Sequence, residues 1–276
     1  MKKWKQYLHI QPWEKQKDTH GSSISLRKRL AGFGVGLMLL VGFFSINTNS
    51  FSIVGGVVGL VAFLMAAILW RGAKLKLFTY ERLKFLDILL AIAAFLLIAC
   101  LDQWLFSLLG TDATANDHAI DDAIQMRSTL WLVLLGTFIG PFIEEVLYHG
   151  LGLKYMFRGF PWVGVIILST LFTYTHGPSN FIEFLIYFQS AVIYSLVYLK
   201  TKRIVLPLLM HIVNNAFCLS LYYFSNERAS KMTEIEKGMG LAAHSFLYYF
   251  KLSSNYFSRQ NLLVSFLSSI FLSIMR

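Results

Sequence analysis

Long apolar stretches separated by short polar or charged segments dominate the pattern of this chain. They cover residues 30–46, 51–70, 85–109, 128–158, 161–176, 181–199 and 204–224. A helix needs roughly 17 to 25 apolar residues to cross the hydrocarbon core of a bilayer. The pattern therefore predicts an all-α fold, a polytopic integral membrane helical bundle with about seven or eight transmembrane helices. The eighth would be the stretch 262–275, whose length is marginal for spanning.

Turn-forming residues mark the boundaries between these predicted helices. Residues 47–50 are a polar turn, Gly159-Phe160-Pro161 should end the fourth helix, and Gly177-Pro178 begins a turn before the sixth. The acidic segment 110–127 is predicted to be a linker. The chain thus divides into a basic tail (1–29), N-terminal helices with an acidic loop (30–127), a membrane core (128–224), and a polar segment with a last helix (225–276).

Composition and charge support a membrane setting. Hydrophobic residues make up 56% of the chain and charged residues only 14%, whereas soluble domains carry about 25% charged residues. The net charge is +10, but Lys and Arg flank the apolar stretches as membrane-flanking cations do. We therefore expect the lipid bilayer, and not nucleic acid, as the partner. Cys100 and Cys218 lie within apolar stretches and indicate neither a disulfide framework nor a zinc knuckle.

The placement of cations also predicts an orientation in the membrane. The N-terminal tail and the segments 71–84, 154–158 and 200–203 are basic, and they alternate with the cation-poor segments 47–50, 110–127 and 177–180. By the positive-inside rule, the basic segments should be cytoplasmic.

Two adjacent glutamates, Glu144 and Glu145, end the otherwise uncharged part of the fourth predicted helix. An ionised carboxylate in a bilayer costs several kcal/mol unless water or a partner is present, so such groups indicate a functional site. The alternative is a solvated helix end at the level of the lipid headgroups.

Helix lengths place a histidine at the depth of the glutamates. Glu144 lies about 15 residues before the break near Gly159 and His176 about 16 residues after it, which puts each roughly 23 Å from the turn. Antiparallel neighbouring helices would therefore hold the two residues at the same level. Phe172 lies one turn before His176 and shares its face.

Further polar residues follow helical spacing. Tyr148 and His149 lie one turn beyond Glu144 and Glu145 respectively. His211 and Asn215 are four residues apart and project from one face of the seventh predicted helix, so both side chains can address one substrate atom or one metal.

Together these residues resemble the motifs of a known family. The succession is Glu144-Glu145-x-x-x-His149, then Phe172-x-x-x-His176, then His211-x-x-x-Asn215. It is similar to the three motifs of the CAAX-protease and bacteriocin-processing (CPBP) family, also called the Abi family, of intramembrane endopeptidases. The resemblance covers about residues 128–224, and the combination is far more specific than any single motif. One position departs from the family pattern, because His149 stands where the first motif usually ends in arginine.

The resemblance implies roles for the site residues. Glu144 would be the general base that activates water, helped by His176, with Glu145 in the same catalytic set. His211 and Asn215 would stabilise the oxyanion or bind a metal.

A zinc ion held by Glu144, His176 and His211, and a mechanism without metal, both stay open. Glutamate and histidine can ligate zinc, and a glutamate with polar donors can also hydrolyse an amide by itself. The residues His149, Phe172 and Tyr148 would support the site.

The family likeness implies an intramembrane endopeptidase that hydrolyses a peptide bond in a membrane-associated peptide or protein, in a bacterial plasma membrane. A second hypothesis is a catalytically weak immunity or scaffold protein that binds a peptide or regulator, which the departure at His149 favours. A third is a small transporter with a carboxylate proton relay, but the sequence has no inverted repeat of the kind that many secondary transporters show.

Overall fold

A computed structural model of the protein describes residues 24–47, 53–78, 83–111, 113–126 and 134–219. All regular secondary structure in these residues is helical, which confirms the predicted all-α class. The helices before the glutamate pair are α1 (Leu26–Asn47), α2 (Ile53–Ala73), α3 (Phe85–Leu109) and α4 (Ala115–Met126). Those that follow it are α6 (Pro161–Thr175), α7 (Phe181–Thr201) and α8 (Val205–Leu219).

The helix that carries the glutamate pair, α5, consists of three consecutive segments. A π-helical segment, Leu134–Ile139, leads into the α-helical turn Gly140–Glu145, and a second π-helical segment, Val146–Met156, follows. Pro141 lies at the start of the central segment, where its missing N–H interrupts the regular hydrogen-bond ladder. π-Helical segments are frequent at functional sites, and here they flank Glu144 and Glu145.

Among the described residues, four helices are long and apolar enough to cross a membrane: α1, α2, α3 and α7. Helices α6 and α8 are apolar but shorter. The structure therefore supports a helical membrane bundle. The predicted last helix at 262–275 lies outside the described residues.

The acidic segment 110–127 contains a helix, α4, where the composition predicted a linker. Thr114 begins it: the Thr114 backbone N–H donates to Asp117 Oδ2 at 2.8 Å, and the Asp117 backbone N–H donates to Thr114 Oγ1 at 3.2 Å. This reciprocal pair is a capping box, which satisfies donors that a helix start otherwise leaves free. The Thr-x-x-Asp pattern in the sequence is the signal for this helix.

The basic segments gather at one end of the described bundle. Arg29, near the start of α1, donates from Nη1 to Met156 O at 2.8 Å and from Nη2 to Arg158 O at 3.0 Å. The backbone N–H of Lys76, after α2, donates to Tyr155 Oη at 2.7 Å. The end of α5 thus lies beside the start of α1 and the end of α2, as the alternation of charges requires. That this end is cytoplasmic stays a prediction.

Glycines on either side of the break between α5 and α6 allow the two helices to pack closely. A Cβ atom on Gly152 would lie 2.6 Å from Leu168 Cδ1, and one on Gly164 would lie 2.6 Å from Phe157 Cβ. Gly159 adopts a φ of 92° in the connecting turn, a conformation that residues with a side chain rarely adopt. The tight turn and close packing bring the second half of α5 alongside α6.

Candidate active site

Glu145 is the buried centre of a carboxylate–imidazole cluster. Its Oε2 atom lies 2.5 Å from His149 Nδ1, one turn further along α5. Its Oε1 atom lies 3.1 Å from His211 Nδ1, which α8 supplies. The two carboxylate oxygens therefore each engage one imidazole. An ionised carboxylate only accepts hydrogen bonds, so with Glu145 ionised both Nδ1 atoms carry a proton.

Glu144 lies at the open side of the same cluster. Its Oε2 atom is 3.6 Å from His211 Nε2, and its side chain is 24% exposed, against 2% for Glu145. His211 thus lies between the two carboxylates, with one ring nitrogen towards each. Because Glu145 is enclosed and has both oxygens engaged, Glu144 is the carboxylate of the pair that an incoming molecule can reach.

Aromatic rings fix the plane of His211. Tyr194 of α7 stacks on this imidazole with ring centroids 5.2 Å apart, and Phe172 of α6 meets it edge-on at 5.8 Å. The Phe172 ring also contacts Tyr148 of α5 edge-on at 5.4 Å. Three helices therefore contribute rings that orient the histidine of α8.

His176 ends α6 and shares Phe172 with His211. Its ring contacts that of Phe172, with centroids 4.5 Å apart. The Tyr187 ring of α7 stacks on it, with centroids 4.6 Å apart. Its Nδ1 atom lies 2.8 Å from the carbonyl oxygen of Phe172. A carbonyl only accepts, so Nδ1 carries the proton and Nε2 of a neutral imidazole keeps its lone pair.

Asn215 projects from the same helix as His211 but contacts a different part of α5. Its Nδ2 atom donates to the carbonyl oxygen of Gly136 at 2.8 Å. Gly136 belongs to the first π-helical segment, whose backbone is not α-helical. The amide therefore ties α8 to α5, two turns before Glu144.

His149, the departure from the family motif, is buried and engaged at both nitrogens. Besides Glu145 at Nδ1, its Nε2 atom lies 3.1 Å from the hydroxyl of Ser195 on α7. Ser195 was not among the residues selected from the sequence, and neither were Tyr187 and Tyr194. A buried serine or tyrosine in an apolar helix has no distinctive spacing, so only the fold singles these residues out.

The donor types at this site suit zinc. Glu144 Oε2 and His211 Nε2 face each other, and His176 retains one ring nitrogen. Within the part of the chain that the structure describes, however, no group of three or more His, Cys, Asp or Glu side chains is arranged to hold a metal ion. Among the described residues, Glu144 and His211 thus supply two facing ligands.

The fold and the site define a polytopic helical membrane protein with a buried carboxylate–imidazole cluster. Residues 126–217 match the family model of the type II CAAX prenyl endopeptidase Rce1-like proteins. The matched segment contains all three motifs, and the match agrees with the likeness to CAAX proteases that the motifs indicated.

Two curated bacterial proteins are each similar to about a third of the chain. "Membrane-embedded CAAX protease MroQ" of Staphylococcus aureus (strain USA300) is 32% identical over 103 residues, 35% of this chain. "Putative membrane peptidase YdiL" of Bacillus subtilis (strain 168) is 28% identical over 104 residues, 37% of this chain.

The match spans 41% of the length of each relative. No solved structure matches. With the apolar helices, these bacterial relatives support the predicted multi-pass bacterial membrane protein.

Proposed function

We propose that the protein is an intramembrane endopeptidase that hydrolyses a peptide bond in a membrane-associated peptide or protein. The observation that carries the proposal is the difference between the two adjacent glutamates. Glu145 is enclosed by His149 and His211, while Glu144 is partly exposed and has one carboxylate oxygen 3.6 Å from His211 Nε2. Such an arrangement separates a fixed, orienting carboxylate from an accessible one, which is what a general base requires.

In the proposed reaction, Glu144 takes a proton from a water molecule as the water oxygen attacks the carbonyl carbon. The carbon–oxygen bond forms and the π electrons of the carbonyl move onto its oxygen. The electron pair on that oxygen then re-forms the carbonyl double bond, and the carbon–nitrogen bond breaks as Glu144 returns the proton to the departing amine. The products are a carboxylic acid and an amine, and the proton count closes without a co-reactant.

The neighbouring residues orient this reaction. Glu145 holds His211 by Nδ1, so that Nε2 of His211 is directed towards Glu144. His176 supplies a ring nitrogen that can help to orient the attacking water. His211, in the imidazolium form with a proton on Nε2 as well as on Nδ1, is the proposed donor to the developing oxyanion. A positioned donor there is worth about 10² to 10³ in rate. Asn215 Nδ2 uses one of its two N–H donors on Gly136 O, and we assign this amide first to holding α8.

The decisive test compares membrane peptides and proteins, by mass spectrometry, in cells that express the wild type, Glu144→Gln or Glu144→Ala. Glu236→Ala, a glutamate outside the three motifs, is the control. We expect new peptide ends with the wild type and with Glu236→Ala, and none with either Glu144 variant at equal protein abundance. If the wild type produces no Glu144-dependent ends, the endopeptidase proposal is wrong and the immunity or scaffold hypothesis gains support.

A further inference from the structure

His176 is held by contacts that lead away from the candidate active site to the start of α4. Its imidazole contacts the rings of Phe172 and Tyr187. The Tyr187 ring is nearly parallel to the imidazole, with an interplanar angle of 21°. Within the described part of the chain, the imidazole hydrogen-bonds through Nδ1 to the carbonyl oxygen of Phe172, in its own helix. Tyr187 is therefore the contact from a separate helix that limits rotation of the His176 ring.

Tyr187 is itself fixed by a residue that lies 73 positions earlier in the chain. Its hydroxyl oxygen is 2.6 Å from Thr114 Oγ1, and Thr114 is 1% exposed. Thr114 Oγ1 also donates to Asp117 Oδ2 at 2.9 Å and accepts from the Asp117 backbone N–H at 3.2 Å. Because the threonine proton goes to the carboxylate, the Tyr187 hydroxyl must be the donor to Thr114. The hydroxyl of Thr114 is then fully used.

A second contact joins the same two elements. The carboxylate of Glu183 accepts a hydrogen bond from the backbone N–H of Ala115, the first residue of α4. Glu183 and Tyr187 are four residues apart and so lie on one face of α7. The first turn of α4 is thus attached to that face through Thr114, Ala115 and Asn116. Tyr187 is the residue of this face that also contacts His176.

We infer that Tyr187 and Thr114 are positioning residues for His176, and that the first turn of α4 controls the orientation of this imidazole. The inference rests on the proposed endopeptidase function only for its effect on the rate. Neither residue belongs to the three motifs, and α4 itself lies in a segment that the composition predicted to be a linker. The inference assigns this segment a role in the reaction.

The test removes each hydroxyl without removing its side chain. Tyr187→Phe retains the ring on His176, Thr114→Val retains the shape of threonine, and Thr114→Ser retains the hydroxyl. Matched controls are Tyr174→Phe, whose ring is largely exposed on α6, and Thr170→Val, whose hydroxyl donates within α6 to Ile166 O. The full-length protein is used, purified in detergent, and thermal unfolding verifies that each variant is folded.

The first readout does not depend on activity. Diethyl pyrocarbonate modifies accessible imidazoles, and mass spectrometry of the peptides gives the rate at His176 relative to His118, which is exposed on α4. We expect Tyr187→Phe and Thr114→Val to raise this relative rate by about threefold to tenfold, the range for losing one hydrogen bond. Tyr187 also has a side-chain hydrogen bond with Asn116, which Tyr187→Phe removes together with the Thr114 bond. The double variant should therefore show the same increase as Tyr187→Phe alone. Thr114→Ser and both controls should match the wild type.

The second readout is peptide hydrolysis. We expect kcat to fall by about threefold to tenfold in Tyr187→Phe and in Thr114→Val with KM unchanged, because orientation acts on the chemical step. Labelling of His176 that stays at the wild-type rate in both variants would overturn the inference, as would effects that multiply in the double variant. A wild type without peptidase activity would overturn the proposed function instead, while the labelling would still decide the positioning role.

Discussion

The Nε2 atom of His149 lies 3.1 Å from the hydroxyl oxygen of Ser195, so both nitrogens of this buried imidazole are engaged. A serine hydroxyl can donate or accept, and it therefore satisfies His149 whether the ring is neutral or protonated. Through Nδ1 the same ring orients Glu145. The contact supports a role for His149 in orienting Glu145, which would be the role of the arginine that usually ends the first family motif.

Substitution of His149 tests this role. If it acts as a cation that orients Glu145, His149→Arg should retain activity and weaken its decline on the alkaline side, because guanidinium stays charged at every accessible pH. His149→Ala should reduce kcat by about tenfold to a hundredfold, as expected for a misplaced site group. pH profiles of peptide hydrolysis measure both effects. Complete loss of activity in His149→Arg, with the fold intact, would instead favour a neutral metal ligand.

Removal of the Ser195 hydroxyl tests the other end of the contact. Ser195→Ala leaves His149 Nε2 without its described partner. We expect the free energy of unfolding to fall by about 1–3 kcal/mol. Ser190→Ala is a control on the same helix. The Ser190 hydroxyl donates to Ile186 O at 3.3 Å and accepts from Gln189 Nε2 at 2.8 Å, and neither bond involves His149. Thermal unfolding and kcat are measured together. A Ser195→Ala protein that matches the wild type in both would show that His149 does not need this contact.

The two glutamates should respond differently to the same change. Glu144→Gln should abolish hydrolysis with little change in stability, because this side chain is partly exposed. Glu145→Gln should lower activity and also destabilise the fold by about 3–5 kcal/mol, the range for breaking a buried ion pair. Thermal unfolding of the purified variants and their kcat values separate the two outcomes. Equal destabilisation by both substitutions would contradict the assignment of Glu144 as the accessible base.

Metal dependence can be measured directly. We predict that the carboxylate–imidazole site sustains hydrolysis without a metal. Dialysis against a chelator should then leave kcat within about twofold of the untreated protein's value, a much smaller change than the loss of a catalytic metal causes. Glu144→Gln processed in parallel gives the background. Loss of activity after dialysis and its return on addition of zinc would show that Glu144, His176 and His211 act as ligands, as the other reading of the family motifs implies.

Close packing after the α5–α6 turn predicts an effect of a single methyl group. Gly164→Ala places a Cβ atom 2.6 Å from Phe157 Cβ and 2.8 Å from Leu153 Cδ2, and we expect a destabilisation of about 1–3 kcal/mol from overpacking. Gly56→Ala is the control, because a Cβ atom there meets nothing within 4 Å among the described residues. Thermal unfolding in detergent compares the two. A Gly164→Ala protein as stable as Gly56→Ala would mean that the helices are less closely packed.

The orientation in the membrane is tested with single cysteines in a variant that lacks Cys100 and Cys218. His118 and Lys76 are both exposed and lie on α4 and after α2. The charge pattern predicts that an impermeant thiol reagent added to cells labels His118→Cys and spares Lys76→Cys until the membrane is permeabilised. The reverse pattern would invert the proposed orientation.

The sequence by itself determined the helical membrane class, the positions of most helices and the residues of the three motifs. Whether a segment can form a membrane-spanning helix depends on the length and apolarity of that segment itself. For this reason α3 begins at Phe85 and ends at Leu109, as the apolar stretch indicated. The helical spacing of Glu145 and His149 likewise anticipated their contact, because residues four apart share a face. These properties depend on neighbours within one or two turns.

Only the tertiary structure decided how these residues are shared between helices. No local pattern indicates that Glu145 contacts His149 with one carboxylate oxygen and His211 with the other, or that Ser195 contacts His149. The same holds for Thr114, which reaches Tyr187 across 73 residues of chain. Such contacts depend on how α4, α5, α7 and α8 pack against one another. Their side chains become partners because burial leaves each polar group without water and dependent on the groups that the other helices bring.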